Sequence, residues 1–267
     1  MNIVLSDREF RHFQEMIHKL AGISLTDAKK PLVSGRLSKR LRHCGLKSFG
    51  DYFELVMREK AELQVAVDLL TTNETYFFRE PRHMDFLKER ILPRHPRGKL
   101  FRIWSAACSS GEECYTLAMV LADCMGDGSW EIVGSDISSR VLEKARMGHY
   151  PMERIDGIPR EYLRRFCLKG TGNQEGTFLI DKILREKIRF QQINLNEPLP
   201  KLGIFDAIFM RNVMIYFDID TKRQVVKRIL PALRPGGHFI VSHSESLNGI
   251  SDELESVVPS VYRKPDA

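Results

Sequence analysis

The chain has 267 residues, of which 43% are hydrophobic and 28% are charged. These proportions are typical of a folded globular protein, and they exclude disorder over most of the length; no apolar run is long enough to span a membrane. The N-terminus has no apolar core of a signal peptide, and the five cysteines form no CxxC pair, which argues against a disulfide framework and against a zinc site. We therefore expect reduced thiols in a cytoplasmic protein.

The net charge of +6 is concentrated in one segment. Residues 27–47 hold seven Lys or Arg side chains against one Asp, so the remainder of the chain is nearly neutral. This asymmetry indicates an anionic partner at one end of the protein, although a merely solvated helix face is an equally open interpretation.

The first ninety residues have the periodicity of helices alone. Ser6 and Glu9 form a capping box, apolar residues then recur at helical spacing, and Gly22 ends that helix. A basic helical segment follows, and two amphipathic patterns predict further helices over 49–59 and 62–70.

From about residue 100, predicted strands alternate with predicted helices. The strands are expected over 100–107, 131–137, 205–212 and 238–245, and the helices over 112–124, 139–148 and 221–237. This alternation predicts a parallel, doubly wound α/β sheet. Two short segments between 171 and 193 have the pattern of antiparallel strands, which predicts a small insert in the sheet.

Ligands of such sheets bind at the carboxyl ends of the strands. Small residues over 106–111 would let the backbone approach a ligand, and Asp136 ends the second strand, where a carboxylate can accept hydrogen bonds from two ribose hydroxyls. A tight turn and a helix N-cap would explain each feature alone, but the pair favours an adenosine ligand. Because the glycine-rich pyrophosphate fingerprint is absent, S-adenosylmethionine is favoured over a dinucleotide.

Five strings carry a family resemblance, in the order TTNETYFFRE (71–80), WSAACSSGEECYTLA (104–118), SDIS (135–138), FDAIFMRNVMIYFD (205–218) and PGGHFIVSHSES (235–246). Together they resemble the chemotaxis receptor methyltransferases of the CheR family over essentially the whole chain. The family usually has GEEPY where this chain has Cys114, a change that the first turn of a helix tolerates.

The resemblance implies an α/β fold of two domains. An all-helical N-terminal domain would cover residues 1–80, and a Rossmann-like, S-adenosylmethionine-dependent methyltransferase domain would cover 81–267. A small antiparallel β flap would be inserted at about 171–193.

The resemblance also implies which residues form the site. The positions that match the cofactor contacts of the family are Asn73, Thr75, Arg79, Glu113, Asp136, Asn194, Leu195, Arg211 and Asn212. Arg79 and Tyr216 match the two catalytic positions that face the methyl group and the incoming carboxylate. Because Glu112 adjoins Glu113, either of the two could be the acidic cofactor contact. No metal is expected.

The implied reaction transfers a methyl group from S-adenosylmethionine to glutamate side chains of chemotaxis receptors, leaving S-adenosylhomocysteine. A glutamate carboxylate is already ionised at pH 7, so the reaction needs no general base. We expect a monomeric cytoplasmic protein, associated with membrane receptor arrays but not inserted in the membrane. Whether the flap also binds a receptor C-terminal tether stays open.

The basic segment 29–47 is the predicted docking surface for the cytoplasmic receptor helices. If residues 30–43 form one helix, Arg36, Lys39, Arg40 and His43 share a face. Three leucines, Leu32, Leu37 and Leu41, would hold that helix on its own domain.

Two alternatives belong to other functional classes. The basic segment suggests a nucleic-acid methyltransferase, but the chain has neither the (D/N)PP(Y/F/W) motif of adenine methylation nor the Pro-Cys pair of cytosine methylation. A catalytically silent, S-adenosylmethionine-binding signalling protein would be distinguished by binding the methyl donor without transferring the methyl group.

Overall fold

The computed structural model describes residues 3–126 and 128–266, and its first part is helical. The helices of this part are α1 (Asp7–Ala21), α2 (Lys30–His43), α3 (Phe49–Arg58) and α4 (Lys60–Leu70). Both end signals of α1 are confirmed, because Ser6 and Glu9 form the capping box and Gly22 closes the helix with a φ of 71°.

Helix α2 packs on its domain through a different apolar row from the predicted one. Leu37 and Leu41 are fully buried as predicted, but Leu32 is 36% exposed and Val33 is buried instead. Residues 33, 37 and 41 follow the i, i+4 spacing of a single stripe, whereas position 32 lies on the neighbouring face. The expectation for Leu32 was therefore wrong.

The remainder of the chain forms an α/β unit. Its strands are β1 (Phe101–Ser105), β2 (Trp130–Asp136), β3 (His149–Pro151), β4 (Cys167–Lys169), β5 (Thr177–Ile180), β6 (Ile188–Gln192), β7 (Phe205–Phe209), β8 (Leu233–Ile240), β9 (Glu255–Val258) and β10 (Val261–Arg263). Its helices are α5 (Arg82–Phe86), α6 (Glu112–Met125), α7 (Ser139–Met147), α8 (Arg160–Phe166), α9 (Lys182–Arg185) and α10 (Ile219–Ile229).

Seven strands form the main sheet, in the order β6-β2-β1-β7-β8-β10-β9. The first five are parallel, and β10 and β9 form an antiparallel edge, which confirms the predicted α/β class. The chain leaves β1 toward β2 on one side and later returns through β7 on the other. This reversal of strand order places the ligand crevice at the carboxyl ends of β1, β2 and β7.

The antiparallel insert differs from the prediction. It is a three-stranded sheet in the order β3-β5-β4, which spans residues 149–180 rather than 171–193. The second segment predicted to be antiparallel is β6, which pairs in parallel with β2 at the edge of the main sheet. A strand's apolar pattern defines its buried face but not its partner, so the sequence could not distinguish these pairings.

The predicted helix over 221–237 was too long. Helix α10 ends at Ile229, and the Pro-Gly-Gly sequence at 235–237 lies inside β8. The pairing register of β7 with β8 shifts between Phe205 and Ala207, so the extra residues around the glycines are accommodated as a bulge.

The end of α1 docks the helical region onto the α/β unit. His18 Nε2 lies 2.7 Å from Asp218 Oδ2, and the Ser24 N–H donates a 2.8 Å hydrogen bond to the Tyr216 carbonyl. Ile23 forms a bridge with Phe217 beside this bond. The loop after α1 therefore holds the backbone of Tyr216. Among the described residues, no helix is both long and apolar enough to cross a bilayer.

Candidate active site

A pocket opens at the carboxyl ends of β1, β2 and β7, and the helical region forms one of its walls. The structure brings all ten sequence-predicted site residues to its lining, namely Asn73, Thr75, Arg79, Glu113, Asp136, Asn194, Leu195, Arg211, Asn212 and Tyr216. Residues separated by almost 150 positions in the chain thus meet in one place.

Asp136 lies at the end of β2 and is 7% exposed. Its two carboxylate oxygens accept 2.9 Å hydrogen bonds from the backbone N–H groups of Ser109 and Ser138. Burial raises the pKa of Asp136 to about 6, although these N–H groups act in the opposite direction. Each oxygen keeps a second lone pair, so the carboxylate can accept two hydroxyl hydrogens as well.

Glu112 and Glu113, between which the sequence left the acidic contact open, lie in different places. Glu113 faces the pocket, whereas Glu112 is 1% exposed, does not line the pocket and accepts a 2.7 Å hydrogen bond from the Ser110 hydroxyl. Burial raises the pKa of the Glu112 carboxyl, with the Ser110 hydrogen bond opposing the shift. The two carboxylates therefore occupy different environments one residue apart.

Arg211 links the two halves of the pocket. Its guanidinium donates to Glu113 Oε2 at 2.9 Å and to the Arg79 carbonyl at 2.6 Å, and it lies 3.1 Å from Glu80 Oε2. The Arg211 side chain is only 3% exposed. Burial alone would raise the pKa of Glu80, but the Arg211 cation more than offsets this, so the pKa is lowered.

The backbone around the pocket has an unusual conformation. Among the described residues, five non-glycine residues have positive φ, and four of them adjoin or line the pocket: Phe78 (55°), Glu80 (54°), Ser109 (50°) and Asn212 (57°). Such conformations cost about 1–3 kcal/mol each and persist where surrounding contacts impose them. The first two flank Arg79, whose guanidinium donates a 3.0 Å hydrogen bond to the Glu74 carbonyl.

The predicted cofactor contacts Asn194 and Leu195 lie on the remaining walls, together with Tyr216. The Asn194 amide donates a 2.7 Å hydrogen bond to the Leu20 carbonyl of α1, and Leu195 is 7% exposed. Tyr216 is half-buried, and burial raises the pKa of its hydroxyl while the nearby Arg79 cation lowers it. The hydroxyl is therefore protonated at neutral pH.

Glu245 is a site residue that the sequence reasoning missed. Its carboxylate accepts hydrogen bonds from the backbone N–H groups of Asn212 and Ser242, both at 2.9 Å, and from that of Ile215 at 3.3 Å. It thereby positions the loop that carries Asn212 and Tyr216. The only signal in the sequence was its membership of the SHSES string, which assigned it no role.

A polar cluster supports Glu80 from behind the pocket. His83 Nε2 lies 2.7 Å from the Ser260 hydroxyl, and its Nδ1 lies 3.4 Å from Glu80 Oε2. Burial lowers the pKa of His83 to about 3, and Arg211 adds to the shift. Glu80, His83 and His243 are close enough to bind a metal ion together, but the Arg211 cation already occupies one side of the Glu80 carboxylate.

Cys114 has a packing role where the family usually has proline. A Cβ added at Gly134 of β2 would lie 2.7 Å from the Cys114 sulfur, so glycine at that position lets α6 approach the sheet closely. All five cysteines are free, and burial raises the pKa of the Cys108 thiol well above its usual value. Cys108 therefore does not have the environment of a reactive thiolate.

Two members of the predicted docking face have partners within the protein. Arg40 forms a two-bond ion pair with the buried Glu62, at 2.8 and 2.6 Å. Arg36 donates to the carbonyls of Leu70 and Thr71, both at 3.0 Å. These two arginines fasten α2 to α4 and to the segment entering the pocket.

A sheet of this order, with an acidic residue after β2 and a pocket at the strand reversal, defines a Rossmann-like methyltransferase that uses S-adenosylmethionine. The family model described as "CheR methyltransferase, SAM binding domain" matches residues 73–262, and the model of the all-alpha domain of CheR methyltransferase matches residues 8–71. The chain belongs to the CheR methyltransferase family.

Curated relatives match along nearly their whole length. Chemotaxis protein methyltransferase 2 of Pseudomonas aeruginosa is 43% identical over 257 residues, which cover 95% of this chain and 92% of the relative. The chemotaxis protein methyltransferase of Salmonella typhimurium is 40% identical over 265 residues, covering 97% and 91%. The Escherichia coli protein of the same name is 41% identical over 265 residues, covering 97% and 92%.

Proposed function

We propose that this chain transfers the methyl group of S-adenosylmethionine to glutamate side chains of chemotaxis receptors and forms glutamate methyl esters. The observation that carries the proposal is the meeting of Arg79, Tyr216 and Asp136 in one pocket, in a member of the CheR family. Neither a nucleic-acid methyltransferase nor a catalytically silent protein is favoured by the relatives, which are named as chemotaxis protein methyltransferases.

The residues of the pocket fit this cofactor. The Asp136 carboxylate would accept hydrogen bonds from the ribose hydroxyls. The apolar side chains of Ile137 and Leu195 line the pocket and would pack against the adenine. Asn73, Thr75, Glu113, Asn194, Arg211 and Asn212 complete the proposed binding set. The bound cofactor would supply a sulfonium methyl group for transfer to an oxygen of the acceptor carboxylate, with S-adenosylhomocysteine as the product.

Arg79 and Tyr216 are the proposed catalytic residues. The Arg79 guanidinium orients the incoming carboxylate, and the Tyr216 hydroxyl donates or accepts a hydrogen bond at the reacting centre. Neither has to move a proton, because the glutamate acceptor is already ionised. Their task is to align the carboxylate oxygen with the methyl group at roughly 3 Å. The walls of the pocket, which come from both the helical region and the α/β unit, surround that position.

Receptor docking is assigned to the exposed cations of the basic segment. Since Arg36 and Arg40 bind other elements of the protein, we place the docking contacts on the exposed side chains of Lys39, Arg42 and Lys47. Arg42 donates only to the Ser38 carbonyl within its own helix. A receptor helix rich in glutamate would be attracted to this surface. The site of action would be the cytoplasmic face of receptor arrays.

The small antiparallel sheet offers a second contact with a receptor. Its strands β3 and β4 each pair with β5, so both are edge strands, and Leu168 on β4 is 53% exposed. A receptor C-terminal peptide could add as a further strand at such an edge. This proposal concerns tethering and not the chemical step.

The decisive experiment combines labelled methyl donor with receptor-bearing membranes. We expect label on the receptor that base treatment releases, as an ester requires, and loss of that label with Arg79→Ala and with Tyr216→Phe while donor binding is retained in the Tyr216 variant. Label that resists base, or that enters nucleic acid in place of the receptor, would contradict the proposal.

A further inference from the structure

A second cavity lies at the opposite end of the sheet from the cofactor pocket. It has a volume of about 230 Å³ and is lined mainly by Arg90, Arg94, Arg234, Gly236, His238 and Arg263. A water molecule takes roughly 30 Å³ in the liquid, so the cavity has room for a group of several heavy atoms. Four arginine side chains line this small space, so several guanidinium groups could contact one anion there.

The buried wall of this cavity is His238, near the start of β8. The residue is 8% exposed, and its Nδ1 has no hydrogen-bond partner within the described part of the chain. Burial lowers the pKa of His238 to about 4, and the cations of Arg263, Arg234 and Arg94 add to the shift. The imidazole is therefore neutral at pH 7, with an unused polar atom among three cations.

The acidic groups at the cavity neutralise only part of its charge. Arg234 Nε donates to Asp206 Oδ1 at 2.7 Å, and Arg263 donates to both oxygens of Asp266 at 2.9 and 2.7 Å. Within residues 3–126 and 128–266, no carboxylate forms an ion pair with Arg90 or Arg94. Among the described residues, the four arginines of the cavity therefore outnumber the two carboxylates that pair with them.

The Asp266 carboxylate already shows where an anion would bind. A Cβ placed on Gly236 would lie 2.7 Å from Asp266 Oδ1, 3.0 Å from an Arg263 nitrogen and 3.2 Å from an Arg234 nitrogen, so the three groups converge on one point. The Asp266 side chain is 73% exposed, and an exposed pair of this kind contributes little to stability. A multivalent anion could displace it at small cost.

We propose that this cavity is a binding site for a phosphate-bearing anion, held by the guanidinium groups of Arg94, Arg234 and Arg263. The tetrahedral oxygens of phosphate match several guanidinium groups at once, which a single carboxylate cannot do. The site shares no residue with the cofactor pocket, so it neither depends on the proposed methyl transfer nor fails with it.

The test is calorimetric titration of the full chain with inorganic phosphate, with pyrophosphate and with phosphatidylglycerol vesicles, at pH 7 and constant ionic strength. We expect saturable binding of pyrophosphate that the double variant Arg94→Gln/Arg263→Gln weakens by at least about tenfold, with S-adenosylhomocysteine affinity unchanged. Binding of the vesicles without pyrophosphate, with the same loss in the double variant, would assign the phosphate to a lipid headgroup.

Two further variants separate a specific site from a general charge effect. Asp266→Asn removes the competing carboxylate and should tighten pyrophosphate binding several-fold, which a purely structural role of these residues would not produce. Arg8→Gln/Arg11→Gln, on the exposed face of α1, removes the same charge far from the cavity and should leave the affinity within about twofold. Equal weakening by both double variants, or no binding of any of the three probes, would overturn the proposal.

Discussion

Asp136 is a buried residue whose proposed role requires the charged form of its carboxyl group. It is buried, which disfavours the charged form, yet the proposed ribose contact needs the carboxylate as an acceptor of two hydroxyl hydrogens. The pKa of about 6 lies above the ordinary value of 3.8, so the free protein holds a proton there at mildly acid pH. Cofactor binding should therefore depend on pH near neutrality.

We expect the affinity for S-adenosylhomocysteine to be constant above pH 7 and to fall as the pH drops through 6, because protonation of Asp136 removes acceptor capacity. Asp136→Ala should weaken binding by about 2–4 kcal/mol at pH 7.5, or ~30–1,000-fold, and should flatten the pH profile. Calorimetry between pH 5 and 8 measures both. An unchanged affinity in the variant would remove Asp136 from the site.

Arg211 is the second residue with a large expected effect, because its guanidinium forms ion pairs with both Glu80 and Glu113. Arg211→Ala should lower the free energy of unfolding by roughly 3–5 kcal/mol, since Glu80 and Glu113 would keep their charges in a buried place without the cation. Urea denaturation without cofactor measures the loss. Arg223→Ala, at the surface of α10, is the matched control and should change stability by less than about 0.5 kcal/mol.

At the scale of elements, the site depends on how α1 meets α10. Gly22 combines a φ of 71° with a close approach, since a Cβ there would lie 2.5 Å from Thr221 Cγ2. The following loop holds the Tyr216 backbone through Ser24. The helical region is therefore part of the cofactor pocket and not an independent appendage.

Gly22→Ala should destabilise the protein by about 2 kcal/mol or more, because the positive φ and the contact with Thr221 both oppose a side chain. It should also weaken cofactor binding, since the loop that places Tyr216 must shift. Gly45→Ala is a well-matched control: it has the same φ of 71° but no atom within 4 Å of the added Cβ. Equal losses of stability and affinity in both variants would show that the contact with Thr221 has no effect.

At the scale of the whole molecule, the charge is divided between surfaces with different tasks. Of the basic segment, Arg36 and Arg40 hold the helices together, and the exposed cations remain for a partner. Charges of this kind act mainly on the rate of encounter, and salt screens them over about 8–10 Å.

Reversal of Lys39, Arg42 and Lys47 to Glu should therefore lower receptor methylation sharply at low salt and flatten its salt dependence, while the affinity for S-adenosylhomocysteine stays the same. Initial rates of methyl ester formation between about 20 and 300 mM salt provide the measurement.

The control reverses three exposed cations elsewhere on the surface, Lys144, Lys201 and Lys227, and should leave most of the low-salt rate intact. A similar loss of rate in both triple variants would show that the effect depends on net charge and not on the basic segment. An unchanged rate in the first variant would show that the basic segment is a solvated helix face without a docking role.

The sequence by itself determined the fold class and the helical start of the chain, because these follow from local information: a capping box, an apolar period and the alternation of strands with helices. Apart from Asp136, the residues of the pocket were predicted from the resemblance of strings such as TTNETYFFRE to the CheR family. The roles of Ser6 and Gly22 at the two ends of α1, and the position of Asp136 at the end of a strand, could therefore be predicted from their neighbours in the chain.

Only the tertiary structure decided which segments pair and which charges find partners. The pattern of β6 suits either pairing, and Glu112 and Glu113 have the same chemistry, but one strand lies beside β2 and one carboxylate faces the pocket. Arg94 and Arg263 are 169 positions apart and share no motif, yet they border one cavity. Long-range contacts depend on how whole elements pack, and that packing is not encoded in the period or composition of any single segment.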